Sequence, residues 1–306
     1  MHKKEYFLGI DIGGTNVKSG VIDGGGTLVD ENTIKTEKKS TELFYENLNA
    51  LISQWKSKYE IKGIGIGFPG LIDIENFRIF KSPNLPAIDN TSVRDYLSFD
   101  NLPVFIDNDA NFAAFGEYSV LSREKREKTR SFFLLTLGSG VGTGLIIKGE
   151  IYHGAKNFIE GGHIIVNPDG AECGCGGKGC FETEVSSNGL KRIYKEHTGI
   201  SVDDPIEIYE KAKKGEKAAL KVFESFSYYL GVALSTFNNL LNPDIIVIGG
   251  GISHFSEFFL ENAVKVLSER SYLYRYFKPE IYVGKLKNKA GIIGAANYAR
   301  EKSGKR

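Results

Sequence analysis

Nowhere in this chain do about 18 apolar residues follow one another, the length a membrane-spanning helix requires. The N-terminal Met1-His-Lys-Lys-Glu-Tyr6 enters a strand without the apolar core of a secretory leader. These absences argue against a membrane association and make the cytoplasm the expected location. Charge of one sign is missing as well, with 39 Lys and Arg against 38 Asp and Glu. Without a basic surplus the chain has little to neutralise a nucleic-acid backbone or an anionic membrane, so neither is expected as a partner. The one dense run, Arg123-Glu-Lys-Arg-Glu-Lys-Thr-Arg130, alternates in sign and reads as a solvated helix end or loop. Cysteine is scarce: three in 306 residues, an odd count that argues against a disulfide framework. Pro/Ser-rich linkers and low-complexity tails are lacking too. A chain of this length is expected to divide into two lobes, which short hinges would then join.

What the chain does have is glycine at particular places. Phe7-Leu-Gly-Ile-Asp-Ile-Gly-Gly-Thr15 and Phe132-Phe-Leu-Leu-Thr-Leu-Gly-Ser-Gly140 each run from an apolar strand straight into a glycine turn. Glycine lets successive N–H groups converge on one anionic oxygen, and Thr15, Ser139 and Thr136 can add hydroxyl donors. A single such turn also serves an ordinary hairpin, but two facing one another would clamp a polyphosphate.

The same strand, glycine turn, strand order opens both halves, which points to a duplicated design. Tyr6–Ile12 and Lys18–Ile22 read as hairpin partners, with Asp23-Gly-Gly-Gly26 making the next reversal of a meander. Phe44, Leu48, Leu51, Ile52 and Trp55 fall at helical spacing, so 41–59 reads as a helix behind a Ser40/Thr41 cap, with Trp55 in the core. Ile61–Phe68 and Val104–Asp107 read as strands, and Ala110–Leu121 as a helix with small residues on one face. A new sheet begins at Ser131. A long helix, 217–241, carries Leu220, Phe223, Phe226, Leu230, Ala233, Phe237 and Leu241 inward and closes at Asn242-Pro243. Asp244–Ile248 is a strand ending in Gly249-Gly-Gly251, and Ala290–Arg300 is the last helix.

Two constellations carry chemistry. All three cysteines lie in Glu172-Cys-Gly-Cys-Gly-Gly-Lys-Gly-Cys180, with His163 ten residues before the first. Cys173, Cys175, Cys180 and His163 supply three sulfurs and one nitrogen, a set suited to tetrahedral Zn²⁺. Four protein ligands close the coordination sphere, so such an ion would be structural. The second constellation is Asp107-Asn-Asp-Ala-Asn111 at a strand-to-helix junction. A carboxylate there stays ionised in the field of the helix dipole and can accept a proton or a metal-bound water. Taken alone, Asn108 or Asp109 serves equally well as an ordinary helix cap.

Together, Asp11-Ile-Gly-Gly-Thr15, Asn108-Asp-Ala-Asn111, Glu160-Gly-Gly-His163 and Cys173-Gly-Cys-Gly-Gly-Lys-Gly-Cys-Phe-Glu182 resemble the ROK (repressor, open reading frame, kinase) family, of the bacterial glucokinase-like type. The resemblance spans nearly the whole chain. It implies an α/β chain with a two-lobed actin-like ATPase (ribonuclease H-like) fold and an active site in the interlobe cleft. The small lobe would be 1–112 plus 290–306, with the first phosphate loop and the catalytic Asp. The large lobe would be 113–289, with the second phosphate loop, the zinc loop and the adenosine-binding glycines. The implied activity is ATP-dependent phosphorylation of a hexose, with glucose first at its 6-hydroxyl, then N-acetylmannosamine or N-acetylglucosamine, or fructose. Asp109 would be the general base. Gly70, Asn84, Asn108, Glu160, His163 and Glu182 would hold or orient the sugar. Gly13, Gly14, Thr15, Thr136, Gly138, Ser139 and Gly140 would cradle the phosphates, Asp11 would orient hydrated Mg²⁺, and Gly250 and Gly251 would border adenine. A homodimer or homotetramer is implied.

The chain departs from the family pattern at two places. Ile159-Glu-Gly-Gly-His163 stands where Gly-Glu-Ile-Gly-His is common, and no Trp follows Asn84-Leu-Pro-Ala-Ile-Asp. The family also contains sugar-sensing repressors, and a glycine turn already at residue 13 is expected to leave no room before it for a helix-turn-helix. An actin-like ATPase without a sugar substrate is the other rival, but it would give Asn108-Asp109, Glu160 and the zinc loop no purpose.

Overall fold

The computed structural model describes residues 4–155 and 159–304, so the first three residues of the N-terminal reading lie outside the described part. In chain order the elements are β1 (Tyr6–Ile12), β2 (Asn16–Asp23), β3 (Leu28–Lys35), α1 (Thr41–Lys58), β4 (Ile61–Phe68), β5 (Leu71–Asp73), β6 (Arg78–Lys81), α2 (Val93–Tyr96), β7 (Val104–Asn108), α3 (Asp109–Ser119) and α4 (Arg123–Lys128). There follow β8 (Ser131–Leu137), β9 (Val141–Ile147), β10 (Glu150–Ile151), α5 (Phe181–Val185), α6 (Ser187–Thr198), α7 (Pro205–Lys213), α8 (Lys217–Leu241), β11 (Ile245–Gly249), α9 (Leu260–Arg270), β12 (Glu280–Val283) and α10 (Ala290–Ser303). The chain divides into two compact units, Met1–Lys128 with Gly144–Ile159 and Asn288–Arg306, and Thr129–Thr143 with Glu160–Lys287.

The first unit is built on a sheet of order β3-β2-β1-β4-β7. Its β1, β2 and β3 form the expected antiparallel meander, while β1, β4 and β7 run parallel. The central strands are buried on both faces, which is why they read as apolar runs rather than alternating ones. On one face lies α1, capped by Ser40, whose side chain accepts from the Leu43 N–H at 3.2 Å. Leu48, Ile52 and Trp55 pack there with Leu8, Ile10, Ile64 and Ile66. The Trp55 indole N–H donates to Ser19 Oγ at 2.9 Å, which satisfies the one polar group that its burial would otherwise strand. On the other face lies α10. A Cβ on Gly65 would come within 2.1 Å of the Ala295 carbonyl, and one on Gly294 within 1.7 Å of the Phe112 carbonyl. This helix therefore meets both β4 and α3 at backbone distance, and only glycine permits the approach. The same packing keeps α3 whole within the first unit, where a division at 112/113 would have cut it.

The second sheet has the order β10-β9-β8-β11-β12, with β8, β11 and β12 parallel. This is the order of the first sheet over again, and the boundary between the units falls inside β9, at Thr143/Gly144. Phe223, Phe226, Leu230, Ala233 and Phe237 of α8 are buried as expected. Leu220 is not: it is 41% exposed, because Ala219 and Val222 occupy the inward stripe of that first turn. The helix ends with Asn242 in the left-handed region, φ 42°, just before Pro243. The alternating charge run is α4, none of whose residues is buried. Among the described residues, no helix is long and apolar enough to cross a membrane.

Candidate active site

In the first unit the turn after β1 is tightly tied. The Gly13 N–H donates to the Asn16 carbonyl at 3.0 Å, Thr36 Oγ1 donates to the Gly13 carbonyl at 2.7 Å, and the Thr36 N–H donates to the Thr15 carbonyl at 3.0 Å. The N–H groups of Gly14 and Thr15 take no protein acceptor among the described residues, and these are the donors left for an anion. Asn84 packs on this turn, so that a Cβ on Gly14 would come within 3.0 Å of its own. Asp11, at the end of β1, faces Lys18 across the hairpin. Its carboxyl lies against the first turn of α10, where a Cβ on Gly291 would meet it at 2.6 Å. Burial pushes this carboxyl up to about 6, against the lowering effect of Lys18.

The Asp107–Asn111 segment joins β7 to α3. Asn108 is the helix cap: its Oδ1 accepts from the Ala110 N–H at 2.9 Å, and its Nδ2 donates to the Gly70 carbonyl at 3.1 Å. Gly70 has φ +99°, and a Cβ there would sit 2.1 Å from the Lys81 carbonyl. Asp109 is the first residue of α3, half-buried, with Oδ1 2.9 Å from the Ala110 N–H. The helix N-terminus favours its ionised form.

In the second unit the turn after β8 occupies the equivalent place. The Gly138 N–H donates to the Gly140 carbonyl at 2.9 Å, and the Ser187 N–H donates to the Gly138 carbonyl at 2.7 Å. The N–H groups of Ser139 and Gly140 are left over among the described residues, as in the first turn. Thr136 pairs with Gly249, so Gly250 and Gly251 leave the sheet beside the strand that ends just before Gly138. Glu182, from α5, accepts from the Val141 N–H at 2.8 Å, and a Cβ on Gly140 would come within 2.5 Å of its carboxylate. That carboxylate is thus fixed at the edge of the glycine turn.

Glu160 precedes a single helical turn, Gly161–His163, which His163 ends. Burial raises the Glu160 carboxyl above its ordinary value; His163 opposes this and Glu182 adds to it. The departure from the family pattern at Gly161 has a steric cause. A Cβ there would lie 2.6 Å from Thr143 Cγ2 and 3.0 Å from Phe237 Cζ, so those side chains fill the volume a larger residue would need.

The four sequence-predicted metal ligands do come together. His163, Cys173, Cys175 and Cys180 place their ligand atoms within 4.8 Å of one another. Cys173 Sγ is 3.6 Å from His163 Nδ1, and Cys175 Sγ is 3.6 Å from Cys180 Sγ. Tetrahedral Zn²⁺ with bonds of about 2.3 Å sets neighbouring sulfurs about 3.8 Å apart, so the donor set fits that ion. With Nδ1 turned to the sulfurs, Nε2 of the same ring faces Glu160, 3.9 Å from its Oε2.

One pairing at the β7–α3 junction escaped sequence reasoning. His153 Nε2 lies 2.6 Å from Asp107 Oδ2, a pairing 46 residues apart that no local spacing signals. Lys18 lies opposite Asp11 on the hairpin partner that the sequence already marked.

Two repeated sheets, each turning on glycine after its first strand, define the class: an α/β protein with the two-lobed actin-like ATPase fold. A profile of the ROK family matches residues 7–302, and the chain belongs to that family. It is 34% identical to a glucokinase of Halalkalibacterium halodurans over 94% of this chain and 93% of that protein. It is 32% identical to a xylose repressor of Caldicellulosiruptor bescii over 76% of this chain and 61% of that protein. Among solved structures, a ROK family glucokinase from Streptomyces griseus in complex with glucose and AMPPNP superposes with a TM-score of 0.82 at 28% identity, covering 97% of this chain and 99% of that one.

Proposed function

We propose that this protein is an ATP-dependent hexose kinase that transfers the γ-phosphate of ATP to the 6-hydroxyl of glucose. The observation that carries the reading is the β7–α3 junction, where Asp109 heads the helix beside Asn108, itself bonded to Gly70. The full-length likeness to a glucokinase, and to a structure holding glucose and an ATP analogue, supports the substrate pair.

The sugar is held by Asn108, the Gly70 backbone, Asn84, Glu160, Glu182 and Nε2 of His163, and Asp109 receives the hydroxyl proton. Phosphoryl transfer has a loose transition state, so aligning that hydroxyl with the γ-phosphate and balancing oxygen charge supply most of the rate. An aspartate is a weak base, so its proton transfer comes late and its first task is to aim the hydroxyl. Gly14, Thr15, Ser139 and Gly140 offer N–H groups to the phosphates, Thr136 stands beside them, and Gly250 and Gly251 border adenine. Mg²⁺, oriented through Asp11, would neutralise phosphate charge; Zn²⁺, on the three cysteines and His163, would fix the histidine tautomer. The first unit thus brings the first phosphate turn and the base, and the second brings the other turn, the zinc loop and the adenosine glycines. The working form is a cytoplasmic homodimer or homotetramer.

The test is ADP release by purified protein with Mg·ATP across glucose, N-acetylmannosamine, N-acetylglucosamine and fructose. Glucose is expected to give the highest kcat/KM. The xylose repressor relative favours a second reading, a sugar-sensing regulator. Sugar binding without ADP release would establish that reading and end the kinase one.

A further inference from the structure

Asp107 is 1% exposed, deeper than any other carboxylate among the described residues, and none of the roles above uses it. Its two oxygens are fully engaged. Oδ1 accepts from the Asn108 N–H at 2.7 Å and from Asn111 Nδ2 at 2.8 Å, while Oδ2 lies 2.6 Å from His153 Nε2. A carboxylate only accepts, so that imidazole nitrogen carries the proton. Tyr298, on α10, packs against Phe105 and Phe112 and lies within electrostatic reach of Asp107. Burial first, and then the charges of Asp107 and Glu150, hold its phenol in the neutral form. Among the described residues, His153 is the ring within hydrogen-bond distance of this carboxylate, and it comes from a different stretch of chain.

We propose that His153 is a positioning residue for phosphoryl transfer: it holds Asp107, and through Asp107 it fixes the junction from which Asn108 and Asp109 meet the sugar. The inference rests on Asp109 being the base. Asp107 gathers the N–H of the next residue and the side chain one helical turn further on, so it wraps the start of α3. A carboxylate buried this deeply and deprived of its partner must draw in another donor or move. Either change loosens the Asn108 N–H and with it the line of attack, and a shift of about 1 Å at such a point is enough for a loss of about 10²-fold. His153 also lies seven residues before Glu160 in the chain.

The experiment compares wild type with His153→Ala, His153→Gln, Asp109→Asn and the His153→Ala/Asp109→Asn double variant. It measures glucose-dependent ADP release, ATP-analogue affinity and thermal midpoint. His153→Ala is expected to lower kcat by about 10- to 10²-fold with ATP-analogue affinity unchanged. His153→Gln keeps an N–H donor for Asp107 and should recover most of that loss. Adding His153→Ala to Asp109→Asn should cost little more, because the histidine acts through the residue already removed. Wild-type kcat in His153→Ala overturns the proposal. So does a loss that His153→Gln fails to restore although it melts like wild type, or full additivity in the double variant. Should His153→Ala not fold, the Gln variant's kcat decides the matter. Near-normal turnover in Asp109→Asn, by contrast, removes the base reading itself, whatever His153 does.

Discussion

Asp109 has a position that its neighbours define: Asn108 caps the helix, and Asp109 shares the same Ala110 N–H. Replacing Asp109 by Asn keeps the shape and one acceptor but removes the proton sink. ATP-analogue affinity should stay the same while kcat falls at least about 10²-fold; steady-state kinetics with calorimetric titration measure both. Asp11 makes a different prediction. Its carboxyl stands at about 6 against an ordinary 3.8, with burial the main cause. The folded protein therefore keeps a proton that the unfolded chain gives up. The resulting contribution to stability is complete below about pH 3.8 and is lost as pH rises through about 6. In nucleotide-free protein, wild type should lose up to about 3 kcal/mol relative to Asp11→Asn across that window, as read by urea unfolding. A constant difference between the two would show that the buried carboxyl titrates normally. At this scale the sequence was informative for the cysteine loop, whose donor atoms come together from a short stretch of chain. It was silent on His153, a lone histidine whose partner is brought to it by folding.

Among the elements, α1 was legible because its apolar residues recur at helical spacing behind a serine cap. The inward stripe of α8 was legible except at its first turn, where Leu220 and Ala219 are adjacent and period alone does not choose between them. The short hairpin of β5 and β6 was not: strands of three and four residues carry too few alternations to show a period. The cysteine loop yields the prediction that belongs here. Burial pushes the thiols of Cys173 and Cys180 up, the latter to about 12, so an incoming cation must displace their protons. Elemental analysis should find one zinc per chain. Stripping it with a chelator at mildly acidic pH should free His163 and raise the glucose KM about tenfold, the worth of one good hydrogen bond, with ATP-analogue affinity unchanged. Readdition of zinc should reverse the effect. Metal-free protein with wild-type KM would dissociate the loop from sugar binding.

Across the whole molecule, duplication was visible in the sequence because both halves open with the same strand, glycine turn, strand order. The unit boundary was less visible. Residues 113–119 belong with α10 through glycine contacts that no local pattern announces, and the change of unit inside β9 has no linker to mark it. The close seat of α10 on Gly65 also bears on the order in which the molecule is made. Synthesis completes all the segments of the second unit before it reaches residue 290, whereas the first sheet needs that final helix to cover one of its faces. During synthesis the earlier-made unit therefore stays open until α10 emerges. Premature termination just ahead of α10 would release a protein with an apolar sheet face bare to water and prone to aggregate.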